Sequence, residues 1–117
     1  MYTLYGIPNC DTVKKARTWL EKQKISYVFH DYKKSGITPA KLKQWCTQVG
    51  WEILLNKKGT TWKNLDEKIQ AGVTNAKAAI KVLTENTSAI KRPVIEKGEK
   101  VMIVGFDEEA YGKIIKK

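Results

Sequence analysis

Two runs of strand character, Tyr2-Thr3-Leu4-Tyr5 and Ile25-Ser26-Tyr27-Val28-Phe29-His30-Asp31-Tyr32, flank a segment with helical spacing, and this order constrains the fold more than any other feature. The first run breaks at Gly6 and Pro8. Val13, Ala16 and Leu20 then recur at i, i+3 and i+7, the spacing of one helix face, over a helix expected from Asp11 to about Gln23. The second run is aromatic and β-branched, which suits a pleated, half-buried strand. A helix between two strands returns the chain to the same end of the sheet, so the pair is expected to be parallel, in a βαβ unit.

The rest of the chain divides into a helical middle and a β-β-α end. Thr38-Pro39 is a helix start with proline at the first helical position, and Leu42, Trp45, Cys46 and Val49 form an apolar stripe ending before Gly50. Cys46 is therefore expected to pack in the core. Trp51 to Leu55 is short and apolar. Asn56-Lys57-Lys58-Gly59-Thr60-Thr61-Trp62 reads as a loop with a capping threonine, followed by a helical segment around Leu65. Helical spacing returns at Ala76, Ala79, Ile80 and Leu83. Val94-Ile95-Glu96, a turn at Lys97-Gly98-Glu99 and Val101-Met102-Ile103-Val104 form a hairpin pattern. Asp107 caps a last helix expected to bury Tyr111, Ile114 and Ile115. The resulting order is that of a thioredoxin-like α/β fold, a mixed sheet flanked by helices. The helical middle, at about residues 37–88, is an insertion in a single domain spanning the chain, since no repeat or linker composition separates it.

With 117 residues, 42% of them hydrophobic, the chain suits one core. No apolar run approaches a membrane span, and Gly6 and Pro8 interrupt any signal-like core, so a cytoplasmic monomer without membrane attachment is expected. Two cysteines and one histidine make neither a disulfide framework nor a metal set. The net charge of +10 raises nucleic acid, an acidic protein or an anionic substrate as partners. Direct nucleic-acid binding is disfavoured, because Arg17 and Arg92 are the only arginines and the lysines are dispersed among acidic residues.

Cys10 sits at the strand-to-helix seam. A free cysteine is often a small buried packing residue, but a thiol in the first turn of a helix faces unpaired amides and the positive end of the helix dipole, which stabilise the nucleophilic thiolate. The loop position favours the second reading. Lys14, one turn on, and Lys15 could add positive potential. A second thiol at the spacing of a dithiol motif would occupy position 13, where the chain has Val13. An oxidised Cys10 must then be resolved by an outside thiol such as glutathione, by a partner protein, or by Cys46. Arg92-Pro93 reads either as a strand boundary or as a cis-proline loop beside the cysteine, offering backbone to an extended thiol substrate and the Arg92 fork to a carboxylate or oxyanion. His30 is read as a strand residue without a chemical role, and Gly59-Thr60-Thr61-Trp62 as a helix start.

Tyr5-Gly6-Ile7-Pro8-Asn9-Cys10-Asp11-Thr12-Val13-Lys14-Lys15-Ala16, Phe29-His30-Asp31-Tyr32, Gly50-Trp51-Glu52-Ile53-Leu54-Leu55-Asn56, Gly59-Thr60-Thr61-Trp62 and Lys91-Arg92-Pro93 together resemble the YffB branch of the ArsC/Spx superfamily. The resemblance spans nearly the whole chain. It implies a thioredoxin-like fold with an inserted helical subdomain, a nucleophilic Cys10, and Arg92 beside a cis Pro93. ArsC proteins reduce arsenate with glutathione through a cysteine flanked by arginines and by a histidine two residues before the proline. Gly6 stands at that histidine position, Asn56 replaces one arginine, and another falls near Gly105, so Arg92 alone remains and arsenate reduction is disfavoured. Spx proteins bind the α subunit of RNA polymerase and carry a dithiol switch that Val13 removes here. The expectation is therefore a glutathione-dependent monothiol reductase with Cys10 catalytic. Arg92, Pro93, Asn9, Asp11, Thr12 and Lys14 would bind a glutathionylated or disulfide substrate. Glutathione is the co-substrate, and no bound cofactor or metal is expected. A regulatory protein docking on the polymerase α subunit is the alternative.

Overall fold

The computed structural model describes residues 1–117, which form two compact units: Met1–Ser35 with Arg92–Lys117, and Gly36–Lys91. The first holds a four-stranded sheet of order β2-β1-β3-β4, built from β1 (Tyr2–Gly6), β2 (Tyr27–Asp31), β3 (Val94–Lys97) and β4 (Lys100–Val104). β1 pairs in parallel with β2 and antiparallel with β3, and β3 pairs antiparallel with β4. The sheet is mixed, as the βαβ and hairpin patterns require. Helix α1 (Asp11–Lys22) places Val13, Ala16 and Leu20 against Tyr2, Leu4 and Ile95, together with Tyr111 and Ile115 from the C-terminal segment. That burial drives α1 onto the sheet.

Several local features depart from the sequence reading. The second strand is shorter than expected, because Tyr32 opens a short helix, α2 (Tyr32–Ser35), with its ring buried. Helix α1 ends with Ile25 N–H donating to Leu20 C=O at 3.0 Å and Lys24 N–H to Glu21 C=O at 3.1 Å. This C-terminal motif puts Lys24 at φ 57°, where glycine would be the unstrained choice. Arg17 is structural. Its Nε donates to Tyr27 Oη at 3.0 Å and its guanidinium lies 4.2 Å from the Phe29 ring centroid, tying α1 to β2.

The second unit is built from helices, α3 (Pro39–Val49), α4 (Trp51–Leu54), α5 (Thr60–Lys63), α6 (Glu67–Gly72), α7 (Ala76–Glu85) and a 3₁₀ turn at Thr87–Ala89, with one isolated antiparallel bridge between Leu55 and Ile90. Thr38 caps α3 by accepting from Lys41 N–H, and Asn75 caps α7 by accepting from Ala78 N–H. Gly59, rather than a threonine, is the N-cap of α5 and no side chain caps that turn. Leu65 lies between α5 and α6, not inside a helix. Leu42, Trp45, Ala79 and Leu83 are buried, but Cys46 is only partly so. Cys46 follows Trp45 by one residue, about 100° around the helix, which carries it to the flank of the stripe. The C-terminal end of the unit is tied to its middle by Lys91 N–H donating to Leu54 C=O at 2.7 Å and Asn56 N–H to Ala89 C=O at 2.8 Å.

The chain closes with α8 (Glu108–Ile114), capped by Asp107, whose side chain accepts from Glu109 and Ala110 N–H. Tyr111 and Ile115 are buried, whereas Ile114 is exposed, because the stripe continues through i+4 and leaves i+3 outside. No helix is long and apolar enough to cross a membrane.

Candidate active site

Gly6 ends β1, and the chain turns through Ile7, Pro8 and Asn9 before Cys10 starts the helix. Cys10 is the N-cap of α1, with extended backbone (φ −112°, ψ 122°) and its carbonyl accepting from Lys14 N–H at 2.9 Å. The turn is held from inside: a Cβ built on Gly6 would lie 2.8 Å from Cγ2 of the buried Val13. Glycine is what allows the helix to seat this closely on the strand. A histidine at position 6 has no room beside Val13.

The surroundings of the thiol favour its ionised form. Burial alone would push it up, but the Val13 amide, the Arg92 guanidinium and the Thr12 amide outweigh burial and hold the thiol below its ordinary range. What the amides and guanidinium stabilise is the thiolate charge. Arg92 reaches the site through the sheet. Because Tyr5 pairs with Val94 in the antiparallel β1–β3 ladder, the Arg92–Pro93 step just before β3 lies beside the turn that follows β1. The Arg92–Pro93 peptide is cis, and Pro93 C=O accepts from Gly105 N–H at 2.7 Å.

Of the residues singled out in the sequence, Cys10, Thr12, Arg92 and Pro93 come together here. Asn9, Asp11 and Lys14 are exposed around the same turn and none of them contributes to lowering the thiol. The reason for Lys14 is geometric: its side chain leaves the outer face of α1 and lines a shallow groove with Trp19, Lys22 and Phe106. Val13, which mattered in the sequence as a missing thiol, supplies the leading amide. Cys46 lies in the second unit, where burial, with Glu52 adding to it, pushes the thiol up. The two thiols are thus shifted in opposite directions. No group of three His, Cys, Asp or Glu side chains is placed to hold a metal.

The sequence reading missed a buried polar cluster on the face of the sheet opposite α1. Glu96 is 2% exposed, and Tyr5 Oη donates to its Oε1 at 2.9 Å. The Tyr5 ring packs 4.6 Å from His30 and 6.2 Å from Tyr32, centroid to centroid. His30 is an aromatic packing residue in this cluster. Burial, with Tyr5 and Glu96 adding and Arg92 opposing, pushes the Tyr32 hydroxyl up, so both Arg92 and Glu96 lie within electrostatic reach of it. The available signal was strand period. Glu96 shares a face with Val94 on a strand paired on both sides, where a solvated carboxylate does not belong.

Comparison with known proteins agrees with the fold. The ArsC family model matches residues 5–114. An uncharacterized protein of Haemophilus influenzae is 47% identical over 95% of this chain and 96% of its own length. The global transcriptional regulator Spx of Streptococcus agalactiae is 28% identical over 93% of this chain and 79% of its own. The solved structure of the YFFB protein superposes with a TM-score of 0.93 at 46% identity, covering 99% of this chain and 100% of that one.

Proposed function

The chain belongs to the ArsC family, in its YffB branch, and from that premise we propose that it is a glutathione-dependent monothiol reductase acting through Cys10. The observation that carries this reading is the position of the thiol at the start of α1, where the Val13 and Thr12 amides and Arg92 favour its ionised form against burial. In the reaction, the Cys10 thiolate attacks the glutathione sulfur of a mixed disulfide. A Cys10–glutathione bond forms, and the substrate leaves as a thiolate that takes a proton from solvent. A second glutathione thiolate then attacks the glutathione sulfur on Cys10, releasing oxidised glutathione and restoring the Cys10 thiolate. Glutathione is the reductant, so the protein needs no second thiol of its own. Arg92 orients a substrate carboxylate, and the backbone at cis Pro93 faces an extended substrate.

The test is reduction of a glutathione mixed disulfide, coupled to glutathione oxidation, comparing the unaltered protein with Cys10→Ser. The reading expects turnover that is lost with the thiol. Equal rates would remove it.

The likeness to Spx favours one other reading, a regulatory protein that docks on the RNA polymerase α subunit with Cys10 dispensable. Retention of the purified α subunit at physiological salt, unchanged by Cys10→Ser, would support it. Arsenate reduction has less support: the Gly6–Val13 contact leaves no place for a histidine, and Asn56 and Gly105 supply no guanidinium. Arsenate-dependent thiol consumption no faster than background would close that route.

A further inference from the structure

The second unit carries a concavity of about 580 Å³ between α3 and α7 that the redox reading does not use. The inward stripes of these helices, Leu42 and Trp45 on one and Ala79 and Leu83 on the other, are buried against neighbouring elements. Outside that contact the helices present small side chains, Ala40 on α3 and Ala76 at the first position of α7. They leave a trough whose walls also include Cys46 and Ile80. The only charged residues lining it are Lys43 and Lys77. Glu52 acts electrostatically on Cys46 but is not part of the lining.

Size and chemistry select the occupant. The volume falls within the range of roughly 300–1,000 Å³ typical of small-molecule sites. The trough is walled by residues of α3 and α7 alone, on the scale of a small ligand. Its walls are apolar and its rim is cationic, with lysines long enough to lie along apolar surface and project an ammonium to the edge. We propose that this trough binds a small anionic amphiphile, a single alkyl chain ending in a carboxylate. The chain lies along Ala40, Cys46, Ala76 and Ile80, and the carboxylate sits at the rim formed by Lys43 and Lys77. The positive end of the α7 dipole, close to Ala76 and Lys77, adds to the attraction.

Cys46 supplies the reporter. In a Cys10→Ser protein it is the only thiol, and its alkylation by iodoacetamide is followed with sodium dodecanoate below its micelle concentration. Saturating dodecanoate is expected to slow alkylation at least fivefold. Dodecyltrimethylammonium, with the same chain and the opposite head group, is expected to protect much less. Lys43→Glu with Lys77→Glu, both at exposed positions, should weaken dodecanoate binding about tenfold. Ala76→Trp should abolish protection by filling the trough, with circular dichroism and a urea midpoint showing that the fold persists. Unchanged alkylation with dodecanoate, equal protection by the two head groups, or full affinity in the charge-reversed variant would overturn the proposal. Protection by anionic phosphatidylglycerol vesicles equal to that by dodecanoate would also overturn it, in favour of a membrane surface.

Discussion

A single methyl group added at Gly6 would lie 2.8 Å from Cγ2 of Val13 and 3.3 Å from Cγ1, well inside the roughly 3.5–4.0 Å of a comfortable carbon–carbon contact. Neither side can easily yield. Val13 is fully buried in the core of the first unit, and a β-branched side chain in a helix has essentially one rotamer. Gly6→Ala is therefore expected to cost about 1–3 kcal/mol of overpacking, reduced by about 0.4–1 kcal/mol because alanine restricts the unfolded chain. Val13→Ala alone removes two buried methyl groups, about 1.6 kcal/mol by transfer and about 2–3 kcal/mol once the cavity is counted. In the double variant the new methyl has no γ carbons to meet. Its stability should fall close to that of Val13→Ala, a favourable coupling of about 1–2 kcal/mol. Urea unfolding of the four proteins measures this directly. If the two changes add within about 0.5 kcal/mol, the account of Gly6 as the seat of α1 is wrong.

Three further changes probe the site and its support. Arg92→Gln should move the alkylation midpoint of Cys10 to higher pH by removing a guanidinium that favours the thiolate, with Arg92→Lys in between; an unchanged midpoint in both would take Arg92 out of the site. Tyr5→Phe removes the hydroxyl that donates to buried Glu96 and should cost about 1–3 kcal/mol in urea unfolding, whereas a neutral result would mean the cluster is dispensable to folding. Lys24→Gly should stabilise the protein by about 0.5–1 kcal/mol by relieving its left-handed backbone, and a loss of stability would contradict the C-terminal motif assigned to α1.

The architecture was legible because its signals are local. The α1 stripe, the aromatic second strand and the polar turn at Lys97-Gly98-Glu99 each announce an element, and their order admits a parallel pair and a hairpin in one sheet. Cys10 was legible for the same reason, since the seam between Gly6 and Asp11 lies within a few residues of it. What stayed hidden depends on contacts between segments distant in sequence. Glu96 looks like a solvated strand residue until β1 brings the Tyr5 hydroxyl to it, ninety-one positions away. The Val13 amide acts on Cys10 through the geometry of the helix turn, not through side-chain identity. Lys24 adopts a backbone conformation that no pattern of apolar residues announces. Cys46 shows the limit of periodicity: one position off the centre of a stripe is enough to carry a side chain from the core to its edge.

The central claim is that Cys10 is an activated thiol and Cys46 is not, and the two can be titrated separately. Alkylation rates of Cys46→Ser and Cys10→Ser proteins, followed from pH 5 to pH 10 and compared with each protein unfolded in urea, report the ionisation of each thiol alone. The account predicts a Cys10 midpoint below that of the unfolded chain, because amides and Arg92 outweigh burial, and a Cys46 midpoint above it, because burial and Glu52 oppose ionisation. A Cys10 midpoint at or above the unfolded value would contradict it.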